Sequence, residues 1–285
     1  SAPMSLDQIT IIKSSGEREP WSTQKLERSL HAAQASDELT KEIILHIEKD
    51  VQDGMRTNDI YEHAFALLKR YDRPTAAQYS LKKAILQLGP SGFPFERFIA
   101  EILKAQGYET QVGVMVRGVC VEHEVDVVAE KPDERIVVEA KFHNSVEVKS
   151  DVKVALYVHA RFMDIQKRFA EIDGADQHYT RAWLITNTSF TSQAIQYGRC
   201  AGLAMTGWNY PKGSTLQDLV QLTETHPVTC LTTLTDAQKR ALLQEGVVLC
   251  HDIVRTPEVL ERIGMSKANI EAAIAEGSGL CKLIP

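Results

Sequence analysis

Ile136-Val137-Val138-Glu139-Ala140-Lys141-Phe142 reads as a strand, and it follows a second such stretch, Glu122-His123-Glu124-Val125-Asp126-Val127, across the turn residues Lys131-Pro132-Asp133-Glu134. Side chains alternate across a strand, so Glu139 and Lys141 share one face while Val138, Ala140 and Phe142 take the other. The same alternation expects Glu122, Glu124 and Asp126 together on one face of the earlier strand, and the short turn makes the two strands antiparallel neighbours. Asp126 and Glu139 then come within reach of one cation. Hard oxygen donors of this kind suit Mg²⁺ or Mn²⁺ better than zinc.

Working outward, Phe95, Phe98, Ile99, Ile102 and Leu103 stand at helical spacing, with Gly107 placed to end that helix. The period then changes to two over residues 108–116, 119–129 and 135–143, which predicts three consecutive strands. A long helix follows over about 151–172, then a strand Ala182-Trp183-Leu184-Ile185-Thr186, a helix capped by Thr191 or Ser192, and a short strand over 203–206. This order implies an α/β layer with a mixed sheet.

Before it, Ile9-Thr10-Ile11-Ile12-Lys13 and Glu19-Pro20-Trp21 flank a polar turn and read as a small β-ribbon. Four helices are predicted next: one capped at Ser22 or Thr23, one carrying Leu39, Ile43, Ile44, Ile47 and Val51, one capped at Thr57, and one over 74–88. Gly89-Pro90-Ser91-Gly92 marks a boundary. After Pro211-Lys212-Gly213, Thr235 with Gln238 forms a capping box stopped at Gly246, Thr256-Pro257 starts a helix stopped at Gly264, and Ser266 starts one stopped at Gly277. Residues 214–230 fit either side of this second boundary. Ser1-Ala2-Pro3 precede Met4 and are set aside as a cloning remnant.

The chain has 285 residues, 25% charged and 44% hydrophobic, the profile of a globular protein of more than one domain, not of a disordered or fibrous one. No apolar run approaches the roughly 18 residues of a membrane helix, so a cytoplasmic protein with no membrane partner is expected. Five scattered cysteines without a C-x-x-C pair point to idle thiols, neither a disulfide framework nor a zinc site. The net charge is -6 and no segment is basic, so any nucleic-acid contact needs a local cationic patch. Lys149, Lys153, Tyr157 and Arg161 step by four and are expected to form such a stripe on the long helix. Asn187, Thr188, Gln193 and Arg199 are weaker candidates for substrate contact, and His123 and His143 read as wall or surface residues.

Glu96 on the opening helix, Asp126 on a strand and Glu139-Ala140-Lys141 on the next resemble the PD-(D/E)xK nuclease core in its Mrr-like restriction endonuclease branch. Gly92-Phe93-Pro94-Phe95-Glu96, Gly107-Tyr108 and Leu184-Ile185-Thr186-Asn187 extend the resemblance over about 91–210. It implies that Asp126, Glu139 and the Ala140 carbonyl hold Mg²⁺ (or Mn²⁺), that Glu96 supports this or a second ion, and that Lys141 positions the attacking water. The ion would lower the pKa of that water and screen the phosphodiester. Without this chemistry, Glu139 and Lys141 are a cross-face ion pair on a half-exposed strand.

Ile11-Ile12-Lys13-Ser14-Ser15-Gly16-Glu17-Arg18-Glu19-Pro20-Trp21-Ser22 through Lys25-Leu26 resembles the start of an ATP-cone, and the helices up to Tyr79-Ser80-Leu81-Lys82 complete that resemblance. It implies Lys13 and Lys25 on phosphates, with Glu19 and Ser22 fixing an ATP or dATP effector; the family usually has Arg where Ser14 stands. Residues 256–277, with Ile263-Gly264-Met265-Ser266 at the bend, are similar to a helix-hairpin-helix unit, Ser266 replacing its second glycine.

The expected fold is therefore α+β and multidomain: an ATP-cone-like nucleotide-binding domain over 5–90 (β-ribbon plus helix bundle), a PD-(D/E)xK nuclease domain with a mixed sheet over 91–212, and a small helical, helix-hairpin-helix-like domain over 213–285. The expected function is a Mg²⁺-dependent endonuclease on duplex or branched DNA, acting as a homo-oligomer under a nucleotide effector. The alternative is a nucleotide-sensing regulator that binds DNA without cutting it, although ATP-cone repressors carry a paired-cysteine zinc ribbon that this chain lacks.

Overall fold

The computed structural model describes residues 5–13, 15–171 and 178–281. The set-aside terminus up to Met4, Ser14 and the expected helix end at Ile172 lie outside the described residues. The N-terminal part opens with a ribbon of β1 (Thr10–Ile12) and β2 (Arg18–Pro20), paired antiparallel with Ile11 opposite Glu19. Helices α1 (Thr23–Ala32), α2 (Asp37–Asp50), α3 (Thr57–Tyr71), α4 (Arg73–Tyr79) and α5 (Leu81–Leu86) follow. Ser22 caps α1 by accepting from the Lys25 N–H. Ile9, Ile11, Leu26, Leu30, Ile43, Ile47 and Leu68 close a core of their own beneath the ribbon.

Two expectations fail here. Thr57 is the first residue of α3 and caps nothing; its hydroxyl donates to the Ile12 carbonyl at 3.4 Å and ties α3 to the ribbon. The single helix over 74–88 is two, because Ser80 turns its hydroxyl back onto the Ala77 carbonyl at 2.9 Å and the chain bends there.

The central part contains α6 (Phe93–Ala105), β3 (Glu109–Arg117), β4 (Glu122–Lys131), β5 (Glu134–Lys141), β6 (Lys149–Ser150), α7 (Val152–Glu171), β7 (Arg181–Thr186), β8 (Ser189–Phe190), α8 (Ser192–Ala201) and β9 (Ala204–Thr206). The sheet order is β3-β4-β5-β7-β9, with β3, β4 and β5 antiparallel and β5, β7 and β9 parallel. The switch to parallel pairing at β5 needs a crossover, which α7 supplies. Ile136, Val138 and Ala140 face the core shared with α6, while Val137, Ala182 and Leu184 face the core under α7 and α8. A small parallel pair, β6 with β8, was not foreseen; it places Lys149 in a strand and off the helix on which the basic stripe was expected.

Helices α9 (Leu216–Thr223), α10 (Asp236–Gln244), α11 (Cys250–Arg255), α12 (Glu258–Arg262) and α13 (Lys267–Leu280) complete the chain. Thr235 and Gln238 form the expected capping box. Gly277 does not stop α13: it lies inside the helix, where an added Cβ would stand 3.2 Å from Val254 Cγ2, so it is the thin spot at which α13 meets α11. The apolar core under α6 runs without a break into Leu216, Val228, Leu242, Ile253 and Leu260, so the tail packs on the sheet layer. Cys230, Cys250 and Cys281 are buried in it.

The alternation expected for 122–127 is interrupted. Val125 packs in the α7-side core and Val127 in the α6-side core, although regular alternation would put them on one face. The facing strand does the same, with Val112 on the α6 side and Val114 on the α7 side, and Gly113 between them has φ +65°. Both strands change faces at Gly113 and Asp126, which the left-handed glycine permits. Nothing lies within 4 Å of a Cβ built at Gly113, so Gly113→Ala should cost backbone strain alone. A loss of about 1 to 2 kcal/mol in denaturant unfolding is expected; an unchanged midpoint would show that the kink does not need this conformation.

Candidate active site

The change of face at Asp126 decides the local chemistry. The β4–β5 ladder ends at Val127 opposite Val138, and beyond it Asp126 Oδ2 accepts the Ala140 N–H at 2.7 Å. A side chain thus takes the place of a backbone acceptor, the strands part, and Asp126 and Glu139 both face the opening. Glu96 joins them from the first turn of α6, where a negative charge is favoured by the helix dipole.

Burial dominates the electrostatics. It lifts the Glu96 carboxyl to about 7, with the charges of Asp126, Glu124 and Glu139 adding to the effect. It also raises Asp126, against the Ala140 N–H that opposes it, and raises Glu139, with the Asp126 charge second. Three half-buried carboxylates thus stand close enough for their charges to act on one another. Lys141, on the same strand as Glu139, favours the ionised forms of both Asp126 and Glu139 and has no carboxylate partner among the described residues.

Sequence reasoning placed Arg161 on an outward stripe; the structure turns it inward. Its guanidinium donates to Glu139 Oε2 at 2.5 Å, lies over the Tyr157 ring, and is only 10% exposed. Spacing along α7 could not reveal this, because the partner is on the sheet. Other side chains are committed too. The Asn187 amide both donates to the His143 carbonyl and accepts its N–H, each at 2.8 Å, and Thr188 is buried. Arg199 donates to the Tyr210 hydroxyl. His123 meets Asp164 at 2.7 Å and His143 meets Ser150 at 2.8 Å.

Among the described residues no three Asp, Glu, His or Cys side chains are arranged to hold one metal ion. The donor chemistry nonetheless fits a hard divalent cation: burial raises the pKa of both Asp126 and Glu139, the Asp126 charge adds to the rise at Glu139, and the carboxylate oxygens are hard donors, one of them held by the Arg161 guanidinium.

In the N-terminal part, Lys13, Glu19, Ser22 and Lys25 do come together. Glu19 Oε2 receives Lys13 Nζ at 3.2 Å and Lys25 Nζ at 2.7 Å, while Lys13 also reaches Glu17 at 3.0 Å. Lys25, then Lys13, hold the Glu19 carboxyl below its ordinary range. The two lysines are therefore gathered on one carboxylate at the mouth of α1.

Comparison with known proteins agrees with this three-part division. An ATP cone domain matches residues 9–85, a restriction endonuclease domain matches 89–206, and an AF1548-like C-terminal domain matches 226–281. An uncharacterized protein of Archaeoglobus fulgidus is 37% identical over 179 residues, spanning 62% of this chain and 97% of the relative. The crystal structure of AF1548, a protein of unknown function, superposes with a TM-score of 0.54 at 35% identity, covering 67% of this chain and 99% of that one. No helix among the described residues is long and apolar enough to cross a membrane.

The raised Glu96 pKa gives a stability test. In the folded state Glu96 keeps its proton up to about 7, whereas its ordinary value is 4.5. Its contribution is therefore fully present below the unfolded value and is lost as pH rises through the folded one. In chelator, Glu96→Gln should be more stable than wild type at about pH 8, the difference closing toward about pH 4. A variant equal to or weaker than wild type at the higher pH would contradict the assigned burial.

Proposed function

This chain belongs to the AF1548-like family, with an ATP cone ahead of its restriction endonuclease domain, and on that premise we propose that it is a Mg²⁺-dependent endonuclease hydrolysing DNA phosphodiester bonds in the cytoplasm under a nucleotide effector. The observation that carries the reading is the crowding of Asp126, Glu139 and Glu96 beside Lys141, which has no carboxylate partner among the described residues, at the point where β4 and β5 part.

Asp126, Glu139 and the Ala140 carbonyl would hold the cation, with Glu96 supporting it or a second ion. A bound divalent ion supplies positive charge that acidifies a water and screens the phosphodiester. The remaining work falls to the chain. The Ala140 N–H fixes one oxygen of Asp126 and leaves the other free. Arg161 holds one oxygen of Glu139 and thereby sets its rotamer. The Lys141 ammonium positions the attacking water and stabilises charge on the phosphate as it develops. Each chain carries one such centre, so cutting both strands of a duplex calls for a homo-oligomer.

Asp126→Ala or Glu139→Ala should abolish both Mg²⁺ binding and cleavage while the circular dichroism stays native; full activity in either variant overturns the assignment. Glu124→Ala should be milder. Lys141→Ala should keep metal binding and lose ~10² to 10⁴ in rate, and an equal loss of metal affinity would contradict its role.

The lysine pair on Glu19 supports the effector. A triphosphate would compete with Glu19 for Lys13 and Lys25, and differential binding to two states is what regulation requires. Calorimetry with ATP, dATP and ADP should show binding that Lys13→Ala and Lys25→Ala weaken. Nucleotide should change cleavage by roughly 5- to 150-fold, the usual range of allosteric coupling. Wild type that binds none of the three at millimolar concentration would make the cone purely structural.

A further inference from the structure

Helix α6 passes from Glu96 at the acidic centre directly into Arg97, and Arg97, Glu101 and Lys104 then recur on one face at helical spacing. Against that face lie Gly246, the end of α11 with Arg255, and α12 with Arg262, enclosing a cleft of 580 Å³ between the sheet layer and the C-terminal helices. Four cations line it, with two carboxylates, Glu101 and Asp252.

The carboxylates offset only part of those charges. Glu101 pairs with Lys104 at 2.6 Å and neutralises that one. Asp252 accepts the Leu249 N–H at 3.1 Å, and burial, joined by the Glu101 charge, raises its pKa and so disfavours a negative charge there. Arg262 reaches only Glu245, at 3.5 Å and outside the lining. Arg97 lies over the Phe93 ring at 4.7 Å with no carboxylate, and Arg255 makes no ion pair among the described residues. Gly246 shapes the wall: a Cβ built there would stand 2.4 Å from an Arg97 terminal nitrogen, so that guanidinium lies directly against the glycine.

A chain of net charge -6 whose candidate centre is itself acidic must find phosphate-binding charge elsewhere. The α7 stripe does not supply it, because Arg161 is spent on Glu139 and Lys149 is off the helix. We propose that the cleft between α6 and the C-terminal helices is a phosphate-binding site that grips the DNA backbone alongside the acidic centre. Arg97 sits next to the centre, and Lys104, seven residues on, stands about 10 Å farther along the helix axis. The site thus follows a strand leading away from the scissile bond. This inference rests on the endonuclease reading and adds a second contact to it.

The test is fluorescence anisotropy of a labelled short duplex with the full-length chain in chelator, repeated over a salt series. Removing one phosphate contact should weaken binding uniformly across sequences and lower the salt slope by about 1. That outcome is expected for both Arg97→Gln and Arg255→Gln. Should Arg97→Gln loosen α6 through the lost Phe93 contact, Arg255→Gln carries the test, since its side chain makes no ion pair among the described residues. Wild-type affinity and slope in Arg255→Gln would overturn the inference while leaving the endonuclease reading standing. A wild-type chain that neither binds nor cleaves any DNA would overturn both. Inorganic phosphate that displaces the duplex at equal phosphate concentration would overturn the backbone as ligand in favour of a free phosphate.

Discussion

The hydrogen bond from the Ala140 N–H to Asp126 Oδ2 stands where the β4–β5 ladder ends, and the geometry of the candidate site follows from it. A continued ladder would have closed the strands and left Asp126 and Glu139 as facing like charges, which is unfavourable in a sheet. With the strands parted, a side chain satisfies the orphaned donor, and the two carboxylates border a gap that Glu96 also faces. Gly113 makes the kink possible on the neighbouring strand, and Arg161 offsets part of the charge. Burial that raises all three carboxyls costs stability, a cost found at sites built to receive a cation.

The three cores show how the parts are joined. Ala76 belongs to the N-terminal core and Ala77, the next residue of α4, to the core under the sheet, so one short helix serves both. The tail closes on the same region: Arg73 donates to the Thr232 hydroxyl, and a Cβ at Gly279 would stand 2.9 Å from Pro74. Buried Glu276 accepts the N–H groups of Thr232 and Thr233 and fixes that turn. The N-terminal part, the sheet layer and the tail therefore meet at α4.

Much of this was legible in the residues. Period-two runs gave the three antiparallel strands, and alternation put Glu139 and Lys141 on one face of β5, whereas Glu96 joined Asp126 and Glu139 only through the family resemblance. What the sequence hid was long-range or conformational. Alternation assumes a regular strand, so it missed the change of face at Asp126. Arg161 has the spacing of a solvent stripe, yet a buried acid on another element captured it. Gly277 has the composition of a helix stop, but close packing on α11 uses it mid-helix, whereas Gly246 and Gly264 do end their helices with positive φ. The cationic cleft joins residues more than 140 positions apart, which no local pattern reports.

The central claim is that Asp126 and Glu139 together bind a divalent cation. The most direct measurement is anomalous diffraction from crystals of the full-length chain soaked in Mn²⁺, compared with the same experiment on Asp126→Asn. The account predicts a peak bridging the Asp126 and Glu139 carboxylates in wild type that is lost in the variant. A peak that ignores both residues, or none at any Mn²⁺ concentration, would contradict it.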